Sequence, residues 1–140
     1  MFNQIVIDTN VIVSALRSSS GCSHSLFKLI GSGKFEINIS VPLVLEYEKT
    51  LLNSVDDMVF SINEIEKILD YICVSANHHE IHFLWRPMLH DPKDEMVLEI
   101  AVASQSGFIV TFNKKDFAGI DRFGIQIVTP KEFLKLIEEF

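Results

Sequence analysis

The sequence predicts an α/β fold in which a parallel β-sheet is covered by helices on both faces, a three-layer α/β/α arrangement in one domain spanning residues 1–140. Short apolar runs alternate with longer segments of helical period. Strands separated in this way run parallel, because each returns through a long crossover connection. A chain of 140 residues, 48% of them hydrophobic and 22% charged, is long enough for one buried core and short for two. No repeat, low-complexity tract or linker interrupts it.

Each element follows from local pattern. Gln4 to Ile7 reads as the first strand through its β-branched run. Asn10 to Arg17 and Ser23 to Gly31 read as two helical pieces broken by SSSGCS. Phe35 to Ile39 is a second strand, and Pro42, well placed in a first helical turn, opens a helix through about Leu52. Ser61 to Val74 carries Ile62, Ile65, Ile68, Leu69 and Ile72 at helical spacing. Ser75 to His90 has no clear period and reads as irregular. Pro92 to Gln105 is a helix with Gly107 just beyond it, and Phe108 to Thr111 is a third strand. A turn or short helix over Asn113 to Ile120 leads to a fourth strand, Ile125 to Val128. Thr129, Pro130 and Glu132 then supply an N-cap, a first-turn proline and a capping-box partner for the last helix.

Several function classes are disfavoured at once. No apolar run approaches the roughly 20 residues that span a bilayer, and the N-terminus lacks a basic region followed by a long apolar core, so a cytoplasmic protein without membrane contact is expected. Cys22 and Cys73 are far apart and in no metal-binding pattern, which favours reduced thiols. A formal charge of −7 argues against a protein that coats nucleic acid. It does not exclude an RNA substrate: of 19 acids, withdrawing four to hold cations leaves 15 against 12 bases, a balance of −3 before the cations are counted.

The placement of the acids is the informative feature. Open parallel sheets bind ligands beyond the carboxyl ends of their strands. Asp8 directly follows the first strand. Ser40 ends the second, with Glu46 about one turn into the next helix. Asp116 follows the third, and Asp94 lies in the first turn of the helix that leads to it. Converging carboxylates repel and raise one another's pKa values. Magnesium or manganese removes that conflict: both prefer oxygen ligands, share carboxylates with a phosphate substrate and, as a pair, assist phosphodiester hydrolysis. Ordinary explanations exist for each acid alone. Asp8, Thr9 or Asn10 can cap a helix, Asp91 before Pro92 is a natural N-cap that makes Asp94 and Glu95 first-turn charges, Glu46 can be a solvated helix acid like Glu48, and Asp116 can be a turn residue.

IVIDTNVIVSAL at the N-terminus, SVPLVLEYEKTL, DPKDEMVLEIAVAS, FIVTFNKKDF and IQIVTPKEFL together resemble the successive motifs of PIN-domain proteins over nearly the whole chain. The likeness is greatest to the bacterial and archaeal group of toxins in toxin–antitoxin systems, the VapC-like ribonucleases. The resemblance implies a PIN-like sheet flanked by helices and an acidic pocket that binds Mg2+ or Mn2+ and cleaves RNA. By position it assigns Asp8, Glu46, Asp94 and Asp116 as catalytic and metal-holding acids, with Asp91 and Glu99 as secondary candidates. Thr9, Asn10, Ser40, Thr111 and Asn113 match the polar residues that support the acids. Some PIN enzymes carry aspartate where Asn113 stands, a departure that weakens the fourth corner. A small antitoxin protein and a homodimer are the partners the resemblance implies.

Other residues carry less. His78, His79 and His82 in HHEIH lack a helix to align them as metal ligands, and Trp85, with Pro87 and Met88, suits an anchor on the core or an oligomer surface. Lys114 and Lys115 are the cations best placed to touch RNA; Lys34, Lys49, Lys93 and Arg122 are further basic residues. Apolar residues on the helices Leu43 to Leu52 and Ser61 to Val74 suit either core or a partner surface. A signalling receiver needs an acid pair after the first strand, where Asp8 stands alone, and a DxDx phosphatase needs an acid at Asn10. The alternatives that remain beside a toxin ribonuclease are a housekeeping RNA-processing nuclease and a non-catalytic PIN-like module that binds RNA or protein.

Overall fold

A computed structural model describes residues 3–57, 60–81, 89, 91–120 and 123–137. The chain runs β1 (Asn3–Ile7), α1 (Thr9–Arg17), α2 (Cys22–Lys28), β2 (Phe35–Ile39), α3 (Val41–Asn53), α4 (Ile62–Ser75), β3 (Asn77–His78), α5 (Pro92–Ala103), β4 (Phe108–Val110), β5 (Gln126–Val128) and α6 (Pro130–Leu136), with short 3₁₀ turns at Val55–Asp57 and Lys114–Phe117. The strands form one parallel sheet in the order β3-β2-β1-β4-β5, flanked by the six helices. In the register, Ile5 is partnered by Ile37 on one side and Phe108 on the other, and Ile7 by Val110.

β1 is central and reads as a continuous apolar run because both its faces are covered: Ile5, Val6 and Ile7 are all buried. From β1 the chain moves first to β2 on one side and later to β4 on the other. The carboxyl ends of β1 and β4 therefore flank the switch point of the sheet, where a crevice opens in folds of this order. α5 packs on β1, β2 and β4, burying Val97, Leu98, Ile100 and Ala101. α6 closes the far side through Phe133, whose ring meets Phe35 at 5.5 Å and Phe108 at 5.4 Å in edge-to-face contacts.

Helix starts follow the capping residues. Ser61 with Glu64 and Thr129 with Glu132 form complete capping boxes on α4 and α6, while Asp8, Ser40 and Asp91 cap α1, α3 and α5. Three differences from the sequence reading exceed a single residue. α2 stops at Lys28 rather than Gly31, whose positive φ of 85° breaks the helix and whose missing Cβ leaves room for the Tyr71 hydroxyl. α5 ends at Ala103, and Gln105 takes the left-handed conformation (φ 55°) instead of the last helical turn. The segment read as irregular contains a fifth strand, β3, whose two residues are too few to show a period. The predicted roles of His82, Trp85, Pro87, Met88 and Arg122 fall outside the described residues.

The histidines of HHEIH that are described serve the sheet edge. His79 donates from Nε2 to the buried Asn38 Oδ1 at 2.8 Å, and Asn38 in turn donates to Gln4 Oε1 and the Ile5 carbonyl. The Nε2 of His78 lies 2.6 Å from the Cys73 carbonyl. Among the described residues no helix is long and apolar enough to cross a membrane.

Candidate functional site

The site is built around Asp8, placed where β1 turns into α1. Its backbone N–H continues the sheet by donating to the Val110 carbonyl, and its extended φ/ψ of −67°/149° makes it the N-cap. One carboxylate oxygen, Oδ1, accepts from the Thr9 N–H at 2.8 Å; the other, Oδ2, accepts from the Thr111 hydroxyl at 2.7 Å. The capping role thus accounts for Oδ1, and Oδ2 ties the cap to the end of β4. Asp8 is only 7% exposed, and burial pushes its carboxyl above the usual carboxylate range. The hydrogen bonds from Thr111 and Thr9 oppose that rise, while repulsion from Asp116 and Asp91 adds to it.

Thr111 is the hub that ties β4 to this corner. It is fully buried, its hydroxyl hydrogen goes to Asp8, and its oxygen receives the Asn113 N–H at 3.0 Å and lies 3.5 Å from Asn10 Nδ2. Asn10 Oδ1 in turn faces the Phe112 N–H at 3.4 Å. The first turn of α1 and the end of β4 are thereby stitched together directly beside Asp8.

Asp94 and Asp91 enter from α5. Asp91 caps the helix by accepting from the Lys93 N–H at 2.9 Å, which leaves Asp94 in the first turn, half-buried. Burial first, then the charges of Asp8, Asp91, Asp116 and Glu95, push the Asp94 carboxyl up to about 6. Asp116 stands exposed on the 3₁₀ turn after β4. Asp8, Asp91, Asp94 and Asp116 accordingly share one electrostatic field at the carboxyl edge. Among the described residues, no three His, Cys, Asp or Glu side chains are gathered closely enough to form an ion's ligand shell.

Glu46 is placed differently from the aspartates. Its carboxylate, nearly buried on α3, pairs with Lys93 Nζ at 3.5 Å and accepts from Thr50 at 3.0 Å, and it is not among the charges that raise Asp8 or Asp94. Ser40 turns its hydroxyl to the Leu43 N–H and serves α3 as a cap. Glu99 lies on α5, half-buried, its carboxyl raised by burial and by Glu95. Lys114 is committed to Glu132 at 3.0 Å, whereas Lys115 is exposed.

Two residues of the site were not singled out by pattern. Tyr47 is buried and donates its hydroxyl to the Ile7 carbonyl, fixing α3 against the strand end that carries Asp8. Burial and the nearby Asp8 raise its pKa, so it remains a neutral donor. Glu95 is a buried carboxylate that accepts from the Leu89 N–H. The helical spacing of Tyr47 with Leu43 and Leu51 marked it as an inward residue; nothing local marked Glu95, which sits among other first-turn acids.

The donor set at this edge is oxygen alone, carried by several carboxylates whose mutual repulsion a hard divalent cation relieves. The family model described as PIN domain matches residues 4–115. No curated protein matches the sequence. Among solved structures, that of VapBC2 from Rickettsia felis bound to a DNA fragment from their promoter superposes with a TM-score of 0.61, covering 90% of this chain and 98% of that one at 14% identity. That likeness is one of fold.

Proposed function

The chain belongs to the PIN-domain family, and from that premise we propose that it is a metal-dependent endoribonuclease, the toxin of a toxin–antitoxin pair. PIN domains are typically nucleases and generally bind divalent metals. The observation that carries the proposal is the shared field of Asp8, Asp94, Asp116 and Asp91 at the switch point, where burial and repulsion hold acids in a state that cations relieve. Residues 1–140 are taken as one such domain. β5 and α6, beyond the matched stretch, are tied to it by strand pairing with β4 and by Phe133.

Asp8, Asp94 and Asp116, with Asp91 as a further ligand, would hold one or two Mg2+ or Mn2+ ions; such ions, when bound, supply an activated water and charge compensation for the leaving oxygen of a phosphodiester. Asp116 is exposed and Asp94 half-buried, so both side chains are free to turn toward an ion, while the buried Asp8 is the fixed point. Thr111 and the Thr9 N–H orient Asp8, and Tyr47 keeps α3 at the strand end. Glu46, which pairs with Lys93 and accepts from Thr50, would help hold a second ion or orient the attacking water, and Lys115, next to the Glu132-paired Lys114, is a cation available to an RNA phosphate. Glu99, half-buried on α5, stays a secondary candidate beside these acids.

Exposed Val41 and Leu45 on α3, and Ile62 and Val74 on α4, are the apolar residues open to a small antitoxin or a second copy. The fold likeness to VapBC2 supports the antitoxin, and a cytoplasmic setting is part of the same proposal. Cleavage of a mixed RNA pool by the protein, by Asp8→Asn and by the protein in EDTA tests the chemistry: metal-dependent cleavage lost in both controls is expected, and cleavage surviving both removes the assignment. Expression alone tests the role. Growth arrest relieved by the product of an adjacent small gene is expected of a toxin, and unimpaired growth marks a housekeeping nuclease.

A further inference from the structure

Glu46 stands apart from the other acids that the site draws on. Its side chain is only 10% exposed, and a carboxylate that far out of water needs a partner. It has two, both on Oε1: the Thr50 hydroxyl at 3.0 Å, one turn further along α3, and the Lys93 ammonium at 3.5 Å, which reaches over from α5. The pair is lopsided. Lys93 is 60% exposed, so the cation stands at the edge of the solvent while the anion is shut in. A lysine on its flexible four-carbon stem can leave such a contact for water, and the glutamate stays where α3 holds it. The Lys114–Glu132 pair, by contrast, is exposed at both ends and is the ordinary surface kind.

Lys93 is also in an unusual place for a cation. It lies in the first turn of α5, where the helix dipole favours negative charge, and Asp94 and Glu95 occupy that turn accordingly. Its backbone N–H serves the cap by donating to Asp91, which leaves the side chain with another task. Lys93 thus stands in sequence between Asp91 and Asp94 and in space against Glu46. While the pair is closed, Glu46 is charge-compensated, and it is absent from the repulsions that raise Asp8 and Asp94.

We infer that Lys93 is a built-in counter-ion for Glu46 that a second divalent cation must displace, so that the acidic edge fills in two unequal steps. Asp8, Asp94 and Asp116 take a first ion with no lysine to move; Glu46 becomes a ligand only after Lys93 has swung out. The inference rests on the metal-dependent reading of this edge and specifies how one acid joins it. Lys93 acts through Glu46 and is a positioning residue, not a catalytic one.

Isothermal titration calorimetry with Mn2+ and no RNA, on the unsubstituted protein, Lys93→Met, Glu46→Gln and the double variant, tests the competition. Methionine keeps an unbranched stem without the charge, and glutamine keeps an acceptor for Thr50, so both preserve the packing. Lys93→Met should tighten about tenfold the ion whose binding Glu46→Gln weakens. It should also lower the melting temperature without metal, because Glu46 is left nearly buried without its counter-ion. In the Glu46→Gln background the same substitution should change Mn2+ affinity by less than about threefold, the general field of one exposed charge, and should not lower the melting temperature. Lys93→Arg keeps the charge and should keep the isotherm of the unsubstituted protein. An equal gain in the two backgrounds, or Mn2+ binding indifferent to Glu46→Gln, overturns the competition. Failure of the wider reading looks different. If none of the four proteins binds Mn2+, the ions and the inference fall together; if Lys93 and Glu46 are coupled through Mn2+ in a protein that cuts no RNA, the inference stands and the nuclease falls; metal-dependent cleavage without that coupling removes the inference alone.

Discussion

Asp8 meets two opposed demands in one side chain. As a cap it favours the charged form, which accepts from Thr9 and Thr111; as a buried acid beside other acids it is driven toward the neutral one, and burial is the larger influence. Asp8→Asn keeps an oxygen acceptor and removes the charge. We expect it to abolish cleavage, leave the far-UV circular dichroism intact and raise the metal-free melting temperature. A lowered melting temperature would show that the charge stabilises the fold. Thr111→Val, nearly isosteric, removes the hub and leaves an Asp8 oxygen and the Asn113 N–H without their partner. It should lose about 1–3 kcal/mol of stability and roughly 10- to 100-fold in activity or metal affinity; an unchanged urea midpoint and rate would show that Thr111 holds nothing. That Asp8, Asp94 and Asp116 share one edge was legible because strand ends place acids independently of their rotamers. That Glu46 turns to Lys93 was not legible, since a partner distant in sequence, on another helix, leaves no mark in local spacing.

At the scale of elements, the caps were the most readable feature, because each acts within four residues: Asp91 and Thr129 open α5 and α6 as expected, while Ser61, read as the first residue of its helix, caps α4 instead. Helix ends and β3 were not, because they depend on partners distant in sequence. β3 exists through pairing with Asn38 and Ile39, and α5 stops at a left-handed Gln105 that no local glycine announces. This last conformation is testable. Left-handed backbone strains a side chain with a Cβ, so Gln105→Gly should stabilise the protein by about 0.5 kcal/mol, the relief of strain exceeding the added freedom of the unfolded chain. A lower urea midpoint in the variant would mean that the glutamine side chain supplies more than its backbone costs. Tyr47→Phe tests how α3 is held: removing the hydroxyl strands the buried Ile7 carbonyl, and a loss of about 1–3 kcal/mol is expected, with activity falling because α3 loosens from the site. Equal stability would assign the anchoring of α3 to its apolar contacts alone.

For the whole molecule, strand order decides where charge collects. Parallel strands follow from alternation and crossover length; their order, β3-β2-β1-β4-β5, puts the ends of β1 and β4 together and hence an acidic edge on a chain of charge −7. This organisation couples stability to pH in a definite direction. Asp94 is raised to about 6 and Asp8 is raised as well, so the folded state binds protons more tightly than the unfolded one. Their contribution is fully present below the unfolded carboxylate pKa of about 4 and is lost as pH rises through about 6. Glu132, lowered by the Thr129 N–H and by Lys114, acts in the opposite sense and weakens the protein only at more acidic pH. Without metal, the melting temperature should therefore be higher at about pH 5 than at about pH 8. Magnesium or manganese replaces the missing protons. At about pH 8 a hundredfold excess over Kd stabilises by roughly 3 kcal/mol, a rise of several degrees, whereas at about pH 5 protons compete and the rise shrinks. Differential scanning fluorimetry across pH, with and without the ion, reads both effects, and Asp8→Asn should flatten both. A metal-free profile that climbs steadily toward pH 8, or an ion-induced rise of equal size at the two pH values, would show that the aspartates at the sheet edge do not act as one cation-binding unit.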